Sequence, residues 1–230
     1  MTISANRRVV PWSSALPETG FGQNARQLNG DRAQSLFQLI SGALEGPNGI
    51  APETLVAGFG AFAGLYARHV VKAGVAAELL VDDFEPLPTI SGRTASASDQ
   101  ATGLLADMTR DSFISALATS LLARDSQWLP DMGSNSVHAI MSLRARTYPL
   151  FTVPAAHHPA LDAHQMSVLL AAPLQSVAFE RSLDGARVTA AALGQATAMA
   201  AQAVQHRLAL KVSAQLATEA ALAMCLLEPR

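Results

Sequence analysis

The chain has 230 residues, half of them hydrophobic and 15% charged, with a formal net charge of -2. That is enough apolar material for a core without a metal or disulfide staple, and it excludes the strong basic field that a phosphate backbone attracts. The single cysteine, Cys225, rules out an internal disulfide and any Cys-rich metal site.

Residues 1–28 contain Pro11, Pro17, Gly20 and Gly22 and no sustained period, so they read as an extended N-terminal arm. Trp12, Leu16 and Phe21 give that arm apolar anchors for the body or a neighbouring subunit. No continuous apolar run with a cleavage site follows Arg7 and Arg8, and a cytoplasmic location is expected. Residues 29–230 read as one helical domain, with a weak division at 84–98.

From Asp31, Ala33, Leu36, Phe37, Ile40 and Leu44 recur at three- and four-residue steps, the spacing of one helical face. Asn29 or Asp31 suits its start, and Gly46, Pro47, Asn48 and Gly49 make a turn. Pro52 suits a first helical position, and Glu53 complements the positive helix end. That helix extends toward Leu80. Gly58, Gly60, Gly64 and Gly74 lie inside it, which costs up to about 1 kcal/mol each unless close packing compensates, so a tight helix crossing is predicted there.

Asp82, Asp83, Glu85, Pro86 and Pro88 close this element as a solvated connection. A helix starts at Ser98 or Asp99 and restarts near Thr109, carrying Leu104, Leu105, Ile114, Leu117 and Leu121. Trp128, Pro130 and Gly133 mark a turn, and Asn135 or Ser136 caps a shorter helix. Residues 147–153 read as irregular because Pro149 removes a ladder donor. Pro159 and Pro173 read as two helix starts. From Asp184 onward an alanine-rich pattern gives one or two long helices, with Arg207, Lys211, Glu219 and Glu228 on the wetter side.

The fold class is therefore all-α: a single-domain multi-helix bundle with an irregular N-terminal arm and antiparallel neighbours at the turns 46–51 and 126–134. The apolar run 54–67 is shorter than the roughly 20 residues a bilayer needs, and 188–206 is rich in glutamine and alanine, so no transmembrane span is expected.

Chemistry-bearing residues are sparse. His157, His158, Asp162 and His164 form the densest set of possible metal ligands, with Asp131 and His138 within reach of a fold-back. Their spacing does not reproduce a paired-histidine helix motif, and helix capping near Pro159 explains them better. The acids 82, 83 and 85 lack a calcium-loop pattern. Cys225 reads as packing, His206 as an interfacial or capping side chain, and Ser96 and Ser98 as helix starts. There is no phosphate loop, dinucleotide fingerprint or nucleophile elbow. No cofactor and no catalytic residue are assigned, and whether the chain is an enzyme is left open.

Small residues on helices and aromatics in the arm favour a helical interaction or regulatory protein that self-associates as a homo-oligomer and has room for another protein partner. The alternative is a small-molecule-binding protein or enzyme with an interhelical pocket lined by Phe59, Phe62, Tyr66, Trp128 and Tyr148, with His138 or His157 at its polar edge. Nucleic acid is disfavoured as a partner.

Overall fold

A computed structural model of the chain describes residues 23–47, 49–87, 95–107, 111–122, 151–177 and 182–227. Its described helices are α1 (Gln23–Leu44), α2 (Pro52–Ala76), α3 (Asp99–Ala106), α4 (Phe113–Leu122), α5 (Ala163–Ser176), α6 (Leu183–Ala203) and α7 (Leu210–Leu226). A two-stranded antiparallel ribbon, β1 (Glu85–Leu87) and β2 (Ala95–Ala97), lies between α2 and α3. The all-α bundle read from periodicity is the observed architecture. The arm up to residue 22, the turn at 126–134 and the helix after Asn135 or Ser136 lie outside the described residues.

The centre of the bundle is the pair α2 and α7. Both are apolar around most of their circumference, and a helix with that pattern is stable only when neighbours cover it on all sides. From Leu216 to Leu226, α7 is buried without interruption. A Cβ added at Gly60 would lie 2.0 Å from the carbonyl oxygen of Ala217, and one at Gly64 would lie 2.2 Å from that of Ala221. The predicted crossing is therefore real, and it brings backbone against backbone. Because 60 meets 217 and 64 meets 221, the two helices run parallel. The expectation of antiparallel neighbours does not describe this pair, which is distant in sequence and joined through the intervening helices. Among the described residues α2 is the helix long and apolar enough to cross a bilayer, and its most apolar stretch is almost wholly covered by this chain.

Two more contacts follow the same logic. Gly194 of α6 receives the backbone of α4, where an added Cβ would lie 2.2 Å from the Phe113 oxygen. Gly58 receives the side chain of Leu44, so the turn 46–51 folds the end of α1 onto α2. That turn closes with Gly49 N donating to Gly46 O at 3.0 Å, and Gly49 holds a φ of 81° that suits glycine.

Element boundaries show where local signals were incomplete. α1 begins at Gln23 instead of at Asn29 or Asp31, because Gly30 faces open space and each further helical residue adds a backbone hydrogen bond. α2 ends at Ala76, short of Leu80, with Glu78 in a left-handed conformation at φ 58°. The segment 84–98 contains the ribbon, which sequence missed because three-residue strands with Pro86 inside carry no alternation. Ser98 caps α3, accepting from Ala101 N at 3.0 Å, as its position suggested. Ser96 starts no helix; it is buried in β2. α4 runs from Phe113, with Ser112 accepting from Ser115 N at 3.2 Å, and Thr109, where a restart was expected, lies outside the described residues.

α5 corrects the reading of two helices beginning at Pro159 and Pro173. Asp162 and Gln165 form a reciprocal cap, with Gln165 N donating to Asp162 at 2.8 Å and Asp162 N donating to Gln165 at 2.9 Å. The helix starts there, and Pro173 lies inside it, buried against the core. The last segment forms two helices, as one of the two readings had it. Arg207 and Lys211 are exposed, but Glu219 is 4% exposed and does not belong on a wet face.

Candidate functional site

The parallel register of α2 and α7 fixes the main interior polar cluster. Gly60 and Gly64 oppose Ala217 and Ala221, so the next step at Arg68 meets the carbonyl end of α7. Its Nη1 donates to Cys225 O at 3.0 Å, Ser96 O at 3.1 Å and Leu226 O at 3.4 Å, and its Nη2 donates to Ser96 Oγ at 2.8 Å. The guanidinium satisfies carbonyls that the helix end leaves open, and its positive charge complements the negative end of the helix dipole. The Phe84 ring lies 4.9 Å from it, and the isolated bridge between Ala95 and Leu227 closes the cluster from β2. A buried charge held this way ties α2, α7 and the ribbon together.

Cys225 lies beside this cluster, fully buried. Desolvation pushes its thiol up to about 12; Arg68 opposes that shift and Asp83 adds to it. The group stays a protonated thiol, with neither the exposure nor the ionisation a nucleophile requires.

A second interior cluster forms where residues 151–153 cross α7. Glu219 accepts from Thr152 N at 2.9 Å, from the Thr152 hydroxyl, and from Gln215 Nε2 at 3.2 Å. Phe151 and Val153 flank Thr152 and are buried. The carboxylate fastens an irregular segment to the core, and its partners occupy both of its oxygens. A third tie joins Arg187 of α6 to Asp107 at 3.3 Å. Arg187 also faces Asp111, whose carboxyl is raised above its ordinary range by desolvation, with Arg187 pulling it the other way.

The histidine set does not converge. His157 Nδ1 lies 3.4 Å from Glu53 Oε1 at the start of α2, while His158 Nε2 lies 3.0 Å from Val153 O. Asp162 caps α5, and His164 is exposed in its first turn. Among the described residues no three His, Cys, Asp or Glu side chains gather as a metal-ligating group. Asp131 and His138 lie outside the described residues. His206 is exposed in the turn after α6, not within a helix.

Phe59, Phe62 and Tyr66 are core residues of α2, and Phe59 packs on Phe37 with ring centroids 5.6 Å apart. Trp128, His138 and Tyr148 lie outside the described residues. Of the three acids, Asp82 and Glu85 are exposed as expected. Asp83 is instead half-buried, accepting from Ser98 Oγ at 2.6 Å and Gln100 N at 2.9 Å.

What the interior leaves over is at the surface. Among the described residues the exposed large hydrophobics fall in two pairs: Leu79 and Val81 beyond α2, and Val168 and Leu169 on α5. The first pair was not foreseen, because the helix was expected to continue toward Leu80 and it ends at Ala76. On α5, Met166, Leu170 and Pro173 supply the buried face, and Val168 and Leu169 fall off it. No protein-family model, curated protein or solved structure matches this chain.

Proposed function

We propose that this chain is a helical interaction protein, regulatory in character, that self-associates through the outward side of α5. The observation that carries the reading is the exposure of Val168 and Leu169, at 61% and 42%, on a helix with no Asp, Glu, Lys or Arg. Ala172 and Gln165 extend the same side at helical spacing and are exposed. A two-fold contact sets a patch against its own copy, so a charge near the axis would meet its like, and one away from it would lose water without an assured partner. The α5 side escapes that repulsion.

Burying such a side chain contributes roughly 1.5 to 3 kcal/mol, against an association cost of several kcal/mol, so a weak, concentration-dependent dimer is expected. Sedimentation velocity over a wide concentration range tests it. Leu169→Glu holds the protein monomeric while its helical circular dichroism is unchanged, because the side chain points to solvent in the monomer. A wild-type chain that stays monomeric at every concentration, or a dimer indifferent to Leu169→Glu, overturns the reading.

A further inference from the structure

The other exposed apolar pair has a different setting. α2 ends with Leu79 N and Leu80 N both donating to Gly74 O, at 2.9 and 3.2 Å, and the Leu80 side chain packs over Gly74. Leu79 and Val81, on either side of it, are left 55% and 79% exposed. The backbone that carries them is fastened to α3 and the ribbon. Gln100 Nε2 donates to Val81 O at 2.8 Å, Phe84 N donates to Asp82 Oδ1 at 3.1 Å, and Asp83 grips Ser98 and Gln100. A chain held at so many points presents its side chains with little ordering entropy left to lose on binding.

Among the described residues, every charged side chain within 78–85 is acidic. Glu78, Asp82 and Glu85 are exposed along it, and Asp99 is exposed beside Gln100. At its base Lys72 places its ammonium 5.4 Å from the Phe84 ring, and His69 is exposed one turn earlier in α2. An anionic lipid surface is repelled by such a rim, and a second copy of the same tip is repelled too. We propose that residues 78–85 form a docking tip for a basic segment of a partner protein, one that offers an apolar pocket or apolar side chains between lysines or arginines. Leu79 and Val81 supply the buried contact, and the acids set the partner's charge and speed its approach. This surface is distinct from the α5 side, and neither needs the other.

The probe is a dye-labelled amphipathic helical peptide of leucine and lysine, titrated by fluorescence anisotropy with the Leu169→Glu monomer as well as the wild-type chain. Hydrogen exchange reads the location. Binding to both proteins is expected, with protection at 78–85 and weakening as salt rises. Val81→Ser weakens it by about tenfold, as loss of one buried aliphatic contact implies, and Asp82→Asn with Glu85→Gln weakens it comparably. A peptide with glutamate for lysine does not bind. The proposal is overturned if 78–85 gains no protection, if the tip variants bind as tightly as wild type, if the glutamate peptide binds equally, or if vesicles of phosphatidylcholine and phosphatidylglycerol protect the tip and the peptide does not.

Discussion

The α2–α7 seam and the outer side of α5 are made of similar material, small and aliphatic residues on regular helices, yet one is closed and the other open. At the seam, glycines remove the side chains that would hold two backbones apart, and each apolar group has a neighbour on every side. On α5 a single face meets α1 and α2 while Val168 and Leu169 look outward. Composition therefore says little about which surface a helix uses; the absence of a Cβ at a contact, or the phase of a residue around the helix, says more.

The comparison breaks most sharply at Gly64. Gly64→Ala forces a Cβ against the Ala221 carbonyl and within 2.9 Å of Cys225 N, and neither is a flexible side chain that can yield. A loss of about 3 kcal/mol or more is expected by urea denaturation, and Gly60→Ala behaves alike. Arg68→Met comes next. It leaves three carbonyl contacts and the Ser96 hydroxyl without their donor, for a loss of about 2 to 4 kcal/mol in the same measurement.

A smaller effect belongs to Cys225. Its folded pKa of about 12 lies above the ordinary thiol value of 9.0, so the folded state holds the proton more firmly. The stability this contributes is present in full below pH 9.0 and is lost as pH climbs toward about 12. Cys225→Ala should show a shallower alkaline decline than wild type, and alkylation of the native thiol should track unfolding of the protein. Smallest, and opposite in sign, is Gly42→Ala. Gly42 is exposed in α1 with nothing within 4 Å of its would-be Cβ, so a gain of up to about 1 kcal/mol in urea midpoint terms follows from helix propensity alone. A loss at Gly42 as large as that at Gly64 would erase the distinction between the two kinds of glycine.

Much of the fold was legible because its signals are local. The three- and four-residue spacing of Leu36, Ile40 and Leu44, the proline opening α2 and the serine capping α3 each act within one or two turns. Pro173 misled for the same reason: its local preference is a helix start, but the reciprocal cap at Asp162 had already begun the helix and burial held it. Glu219 and Arg68 were illegible as cross-ties, because their partners at Thr152 and at Ser96, Cys225 and Leu226 come from distant parts of the chain. The two exposed pairs were hidden for a related reason, since exposure is whatever packing leaves over.

By itself the sequence determined that the chain is helical, that its glycines demand close neighbours and that Cys225 is an inert core residue, all consequences of periodicity, steric size and the polarity of adjacent side chains. Tertiary structure alone decided that α2 and α7 run parallel, that a buried arginine closes their shared end and that Leu79, Val81, Val168 and Leu169 face outward. Those features depend on which distant segment arrives beside which, and the free energy that selects the arrangement is summed over the whole core.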